Sequence, residues 1–160
     1  MDINMEERKI KTLREKIRIL ERESGGVFDG GNDCCGVTTA QCHTILEIGN
    51  KGEITLVDLA DALGLDASTM SRAIQGLVLV GLVDRKSSEQ DRRYVNIRLT
   101  DQGRKVFESI ETRYNRYFDE VIKLLPESRR EDVLTAVGEF ADAVKRLNES
   151  TGCCRKGRRQ

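Results

Sequence analysis

The residues of this chain best suited to soft-ligand or redox chemistry are its five cysteines and single histidine, and they are clustered. Cys34 and Cys35 are adjacent, Cys42 and His43 follow shortly after, and Cys153 and Cys154 stand near the other end. Three thiolates suit a trivalent metalloid such as As(III). Zn or Cd takes four ligands, with His43 or a tail cysteine completing the set. Cys42 is expected about four residues into a helix, at the edge of the region where first-turn amides lower a thiol's pKa. The basic residues Arg155, Lys156, Arg158 and Arg159 favour ionisation of Cys153 and Cys154. The same cysteines also fit a redox switch, with Cys42 oxidised first and resolved by Cys35 or a tail cysteine. Alternatively, Cys42 is a small core hydrophobe and the effector is an organic molecule bound elsewhere. Ion capture is the reading carried forward.

A second set of residues suits nucleic acid. Met70, Ile74 and Leu77 recur at helical spacing, which turns Ser68, Thr69, Ser71, Arg72 and Gln75 outward. Arginine bonds guanine O6 and N7 in bidentate fashion, glutamine does the same to adenine N6 and N7, and short hydroxyls reach phosphates or bases. The formal net charge is zero, yet residues 82–105 carry seven Lys/Arg (Arg85, Lys86, Arg92, Arg93, Arg98, Arg104, Lys105) against four acids. A segregated field matters more to a polyanion than the total. Arg85 and Lys86 are expected to touch phosphates, and Asp91, Arg92 and Arg93 to form a hairpin tip.

The elements that must carry these residues follow from pattern. Residues 3–20 place Ile3, Ile10 and Ile17 seven apart, with Leu13 and Leu20 completing an a/d seam. Glycines at 25, 26, 30 and 31 then predict a flexible loop. A helix opens at Thr38, where Thr38 and Gln41 fit a capping box, and buries Cys42, Ile45, Leu46 and Ile48 before Gly49-Asn50-Lys51-Gly52 ends it. A short helix from Thr55 to Leu63 buries Leu56, Leu59, Ala60 and Leu63. After Gly64-Leu65, Asp66 caps a helix from Ala67 to Val80, with Met70, Ile74, Leu77 and Val78 inward and Gly81 as its stop. A strand from Leu82 to Lys86, a turn over Ser87–Asp91 and an alternating strand from Arg93 to Leu99 form a hairpin. Helix-turn-helix followed by a hairpin is a winged helix. Pro126 then divides two long helices, 101–124 and 127–148. Their apolar rows (Ile110, Tyr114, Tyr117, Phe118, Val121 and Leu125; Val133, Val137, Phe140, Val144 and Leu147) exceed what a small winged helix covers, which predicts a homodimer.

At this point the chain resembles the MarR family of winged helix-turn-helix transcription regulators. The resemblance rests on Leu56-Val57-Asp58-Leu59-Ala60, Asp66-Ala67-Ser68-Thr69-Met70-Ser71-Arg72 and Gly81-Leu82-Val83. Its most specific part is Asp91 to Thr100 (DRRYVNIRLT), a D-x-R wing followed by a strand and L-T. The resemblance implies a homodimer that binds a pseudo-palindromic double-stranded DNA operator, most often as a repressor answering to an effector. It also implies that Arg93 enters the minor groove with Asp91 as its orienting partner; a narrow groove concentrates the negative potential that attracts a guanidinium.

The fold class is therefore mainly α with a minor β component, a winged helix-turn-helix flanked by N- and C-terminal dimerisation helices. Four segments are expected: 1–30, dimerisation helix and loop; 38–100, DNA-binding domain; 101–148, dimerisation helices; 149–160, basic cysteine-containing tail. One proline, no tryptophan and 4% aromatic residues argue against an all-β sandwich. The longest apolar run, Leu77 to Val83, falls far short of the ~20 residues of a membrane span, and the N-terminus lacks a signal-peptide h-region. The location expected is cytoplasmic, with no membrane partner. Without a C-x-x-C, a phosphate-binding glycine loop or a Ser/His/Asp set, and with one histidine, catalysis is not expected.

Overall fold

The computed structural model describes residues 3–28, 37–87 and 95–151. The chain forms two compact units, Met1–Thr39 and Ala40–Gln160.

The first unit is built on one helix, α1 (Ile3–Phe28). It outruns the expected seam: Gly25 and Gly26 lie inside the helix rather than opening a loop. Once a helix is nucleated, each further residue gains a backbone bond, so two glycines cost about 1 kcal/mol each against alanine without stopping it. The Ser24 hydroxyl donates to the Leu20 carbonyl, and Arg22 pairs with Glu23 at 2.8 Å. Seam residues Ile10, Leu13 and Leu20 are exposed.

The second unit runs α2 (Thr39–Lys51), β1 (Glu53–Thr55), α3 (Leu56–Ala62), α4 (Ala67–Leu79), β2 (Val83–Ser87), β3 (Val95–Leu99), α5 (Asp101–Lys123), a 3-10 turn (Glu127–Arg129) and α6 (Arg130–Thr151). Apolar residues at helical spacing bring Ile45 and Ile48 of α2, Leu59 of α3, and Met70, Ile74 and Leu77 of α4 into one fully buried core. Val83 and Ile97 close it from the sheet. Val78, expected inward, is 37% exposed, because α4 ends one residue later and its last turn projects past the core.

The sheet has the order β1-β3-β2, antiparallel throughout. β1 was not expected from the sequence. Its three residues pair with β3, the second strand of the hairpin, Ile54 opposite Ile97, and Ile54 is buried. The period of two holds along β3, with Ile97 and Leu99 buried and Arg98 exposed.

Two tight junctions hold the helices around the sheet. Gly81, at a φ of 73° that side-chain-bearing residues rarely adopt, ends α4. Immediately after it, Thr100 fastens α5. Its amide donates to the Leu82 carbonyl at 3.1 Å and its hydroxyl donates to the Gly81 carbonyl at 2.7 Å. The same hydroxyl oxygen accepts the Gly103 amide at 3.0 Å, which caps α5. Gly103 has no room for a side chain: a Cβ there would meet the Leu82 carbonyl oxygen at 1.9 Å.

Pro126 separates α5 from α6 as expected, with the 3-10 turn between them. Of the apolar rows on these helices, only Ile110 is buried. Phe118, Val121, Val137, Phe140, Val144 and Leu147 are between 38% and 62% exposed. Among the described residues no helix is long and apolar enough to cross a membrane.

Candidate nucleic-acid interface

The candidate surface begins with Asp66. Its backbone is extended (ψ 154°), so its carboxylate folds over the start of α4 and accepts the amides of Ser68 and Thr69 at 3.0 and 2.9 Å. Both neighbouring hydroxyls also donate to it, Ser68 Oγ at 2.6 Å and Thr69 Oγ1 at 2.7 Å. The two hydroxyl bonds, then the amide bonds, hold the Asp66 carboxyl well below the usual carboxylate range. A depressed carboxylate stabilises the fold above its ordinary pKa and loses that contribution only as pH falls far below it. The cap therefore stays charged across neutral and mildly acidic conditions.

This arrangement changes what Ser68 and Thr69 offer. Each hydroxyl spends its proton on Asp66, so toward a ligand it presents lone pairs. Thr69 Oγ1 uses one to accept from Arg72 Nη2 at 3.4 Å. Arg72 and Gln75 are exposed one turn apart, Ser68 is exposed, and Thr69 and Ser71 are half-buried. Sequence and structure thus agree on an outward face of α4 that carries one guanidinium and one carboxamide.

The two adjacent cations of β2 lie on opposite faces of the sheet. Lys86 is exposed on the sheet face away from the core, in register with Asn96. On that face Asp84 and Arg98, also in register, approach to 3.7 Å. Arg85 lies on the opposite face, paired with the buried Ile97, and its Nη2 donates to the Ser71 carbonyl of α4 at 3.0 Å. Arg85 and Lys86 are both expected to touch phosphate, and the signal that separates their faces is the even spacing of Arg85 from the buried Val83. Asp91, Arg92 and Arg93 lie outside the described residues.

Of the cysteine set, Cys42 and His43 are described. Cys42 is the fourth residue of α2, as expected, and at 6% exposure its sulfur is covered by the core. His43, one step around the helix, is exposed. Cys34, Cys35, Cys153 and Cys154 lie outside the described residues. Among the described residues, no group of three or more His, Cys, Asp or Glu side chains is placed to hold a metal ion.

The family model described as "MarR family" matches residues 36–93, a segment that holds α2 through β2 and ends before β3. The chain is 23% identical over 114 residues to the HTH-type transcriptional regulator YdgJ of Bacillus subtilis, a match that covers 71% of this chain and 70% of that protein. Its fold is similar to a MarR transcriptional regulator from Methanosarcina mazei Go1, with a TM-score of 0.74 at 21% identity, over 86% of this chain and 99% of that one. It is similar also to MepR of S. aureus, solved as a DNA complex, with a TM-score of 0.70 at 23% identity, over 81% of this chain and 96% of that one. The B. subtilis and M. mazei proteins are both named as transcriptional regulators. The chain thus matches the MarR family model over residues 36–93 and has the fold of the M. mazei MarR regulator over 86% of its length.

Proposed function

We propose that this regulator is a homodimeric repressor that docks on a pseudo-palindromic DNA operator and lets go when its cysteines capture a thiophilic ion. The observation that carries the DNA reading is the exposed pair Arg72 and Gln75 on the Asp66-capped helix α4, flanked by a basic hairpin. Their chemistry matches a guanine and an adenine edge in the major groove. The similar fold of MepR, crystallised with DNA, supports the same use. The uncovered rows on α5 and α6 support a second copy as the partner, because exposed apolar side chains in such number seek burial.

Half-sites of a two-fold operator lie about one helical turn apart, so both recognition helices must hold one spacing. An effector releases DNA if it prefers another spacing. Cys42 has leverage for this. It shares α2 with the fully buried Ile45 and Ile48, so drawing its sulfur out of the core to ligate an ion repacks the domain that carries α4. His43, Cys34, Cys35, Cys153 and Cys154 are the remaining ligand candidates for As(III), Zn or Cd.

The test is a titration. Reduced protein is bound to DNA from upstream of its own gene, and arsenite, zinc, cadmium and peroxide are added in turn. Release by a stoichiometric ion, reversed by a competing dithiol, supports ion sensing. Release by peroxide alone, reversed by reductant, assigns the cysteines to redox control. No release by any of them points to an organic ligand, for which the cleft of about 530 Å³ beside β1, lined by Lys51, Glu53, Thr55, Asp58 and Asn96, is the first place to look. Cys42→Ser is expected to keep DNA binding and to abolish the response; a response that persists removes Cys42 from the sensor.

Arg72→Ala is expected to lower affinity for the preferred site by roughly 10- to 100-fold, the range of one bidentate base contact. Its effect on random-sequence DNA should be far smaller. Fluorescence anisotropy at one fixed salt concentration checks both. Equal losses on the two DNAs would make Arg72 a backbone contact.

A further inference from the structure

Strand β1 holds β3 along Asn96 to Arg98. On the β2 side two anchors join the hairpin to the helical body, and they differ in kind. At its base, Val83 and Leu99 are in register and both are buried, so packing fixes that rung. Two residues further along β2 the inward position is Arg85, in register with Ile97. A guanidinium contributes little to an apolar core. It is, however, long enough to cross to α4, where its Nη2 donates to the Ser71 carbonyl at 3.0 Å.

That carbonyl lies within the regular stretch of α4, where it also accepts the helical amide four residues on, and a carbonyl oxygen has two lone pairs to share. The contact is therefore an added one, between a strand of the wing and the middle of the recognition helix. It falls where the buried ladder ends, since Lys86 and Ser87 complete β2 beyond it. Ser71 directly precedes Arg72, so the residue that receives the bond neighbours the guanidinium assigned to base reading.

We propose that Arg85 is a positioning residue of the DNA-reading surface, which fixes the angle between the wing hairpin and the recognition helix by its bond to the Ser71 carbonyl. A helix and a wing that read adjacent grooves must present their side chains in one register; β1 fixes β3, while the outer strand β2 is tied to α4 beyond its base rung by Arg85. The inference rests on the DNA-binding reading above for its purpose, though not for its geometry.

The variant is Arg85→Met, which keeps the aliphatic stem and removes the donors. The side chain is exposed, so the fold is expected to survive, and a thermal melt checks this. Hydrogen exchange is followed on the free protein. Amides of 83–87 and 95–99 are expected to exchange roughly three- to tenfold faster, the loss of one solvent-accessible hydrogen bond, with α3 unchanged. In parallel, the ratio of affinities for preferred and random-sequence DNA is expected to fall by a similar factor, because register and not attraction has been lost.

Unchanged exchange, with a salt slope lower by about one on both DNAs, would make Arg85 a phosphate contact and overturn the proposal. Faster exchange with an unchanged ratio would overturn its role in specificity, and no change in either would overturn it entirely. If the unaltered protein binds no DNA, the DNA-binding reading fails by itself, while the exchange experiment still decides whether the strap exists.

Discussion

Gly103→Ala is expected to destabilise the protein by about 3 kcal/mol, although alanine is the better helix former. Taken alone, helix propensity would favour the substitution by about 1 kcal/mol. The geometry reverses the sign. The added methyl would stand 1.9 Å from the Leu82 carbonyl oxygen, 2.9 Å from its carbon and 3.3 Å from its Cα, so three atoms of rigid backbone oppose it. No side chain can swing aside; α5 must move away from the turn that follows α4. That movement strains the Thr100 bonds to Leu82 and Gly81, which are part of the same junction. Thermal or urea unfolding of the variant checks the magnitude. A variant as stable as the parent would mean that α5 can shift without cost, and the junction would not be the rigid joint described above.

The second large effect is expected from Ile74→Ala. Ile74 is fully buried at the centre of the inward face of α4, between Met70 and Leu77, and packs in the core completed by Ile45, Ile48, Leu59 and Ile97. Removing most of an isoleucine side chain from such a site costs the lost transfer free energy and leaves a cavity, about 2–5 kcal/mol in all. Because Ile74 belongs to the helix proposed to read DNA, two readouts separate stability from recognition. Below the melting transition, the folded fraction of the variant should retain the preference for its DNA site, since Arg72 and Gln75 lie on the opposite side of the helix. A large loss of preference in fully folded protein would show that the core also sets the outward geometry.

Much of this architecture was legible before any coordinates. The spacing of Met70, Ile74 and Leu77 located the buried face of α4, Asp66 announced its start, Pro126 marked the break between the long helices, and Val95, Ile97 and Leu99 gave the strand its period. These are local signals, readable within one or two turns of chain. What escaped detection is non-local. β1 is three residues whose partners are Asn96 to Arg98, over forty residues away, and nothing in Glu53-Ile54-Thr55 alone announces a strand. The length of α1 was hidden by its two glycines. Which of the adjacent Arg85 and Lys86 faces α4 was not legible from charge, because strand parity decides it. The proton economy of the Asp66 cluster was likewise invisible, since a cap is legible from residue type but the direction of its neighbours' hydroxyls is not.

The junction at Thr100 has a mechanical consequence. Helix α5 is 23 residues long, a rod of roughly 35 Å. One end of this rod is clamped to the carbonyls that follow α4, with no side chain at Gly103 to act as a cushion. A displacement of about 3 Å at its far end, near Pro126, corresponds to a tilt of about 5° at the clamp, by the same helix dimensions. A clamp made of backbone-to-backbone contact does not absorb such a tilt; it hands it on to α4. In engineering terms, α5 is a lever whose fulcrum touches the end of the helix proposed to read DNA, so motion far from that helix arrives there as rotation and with little slack.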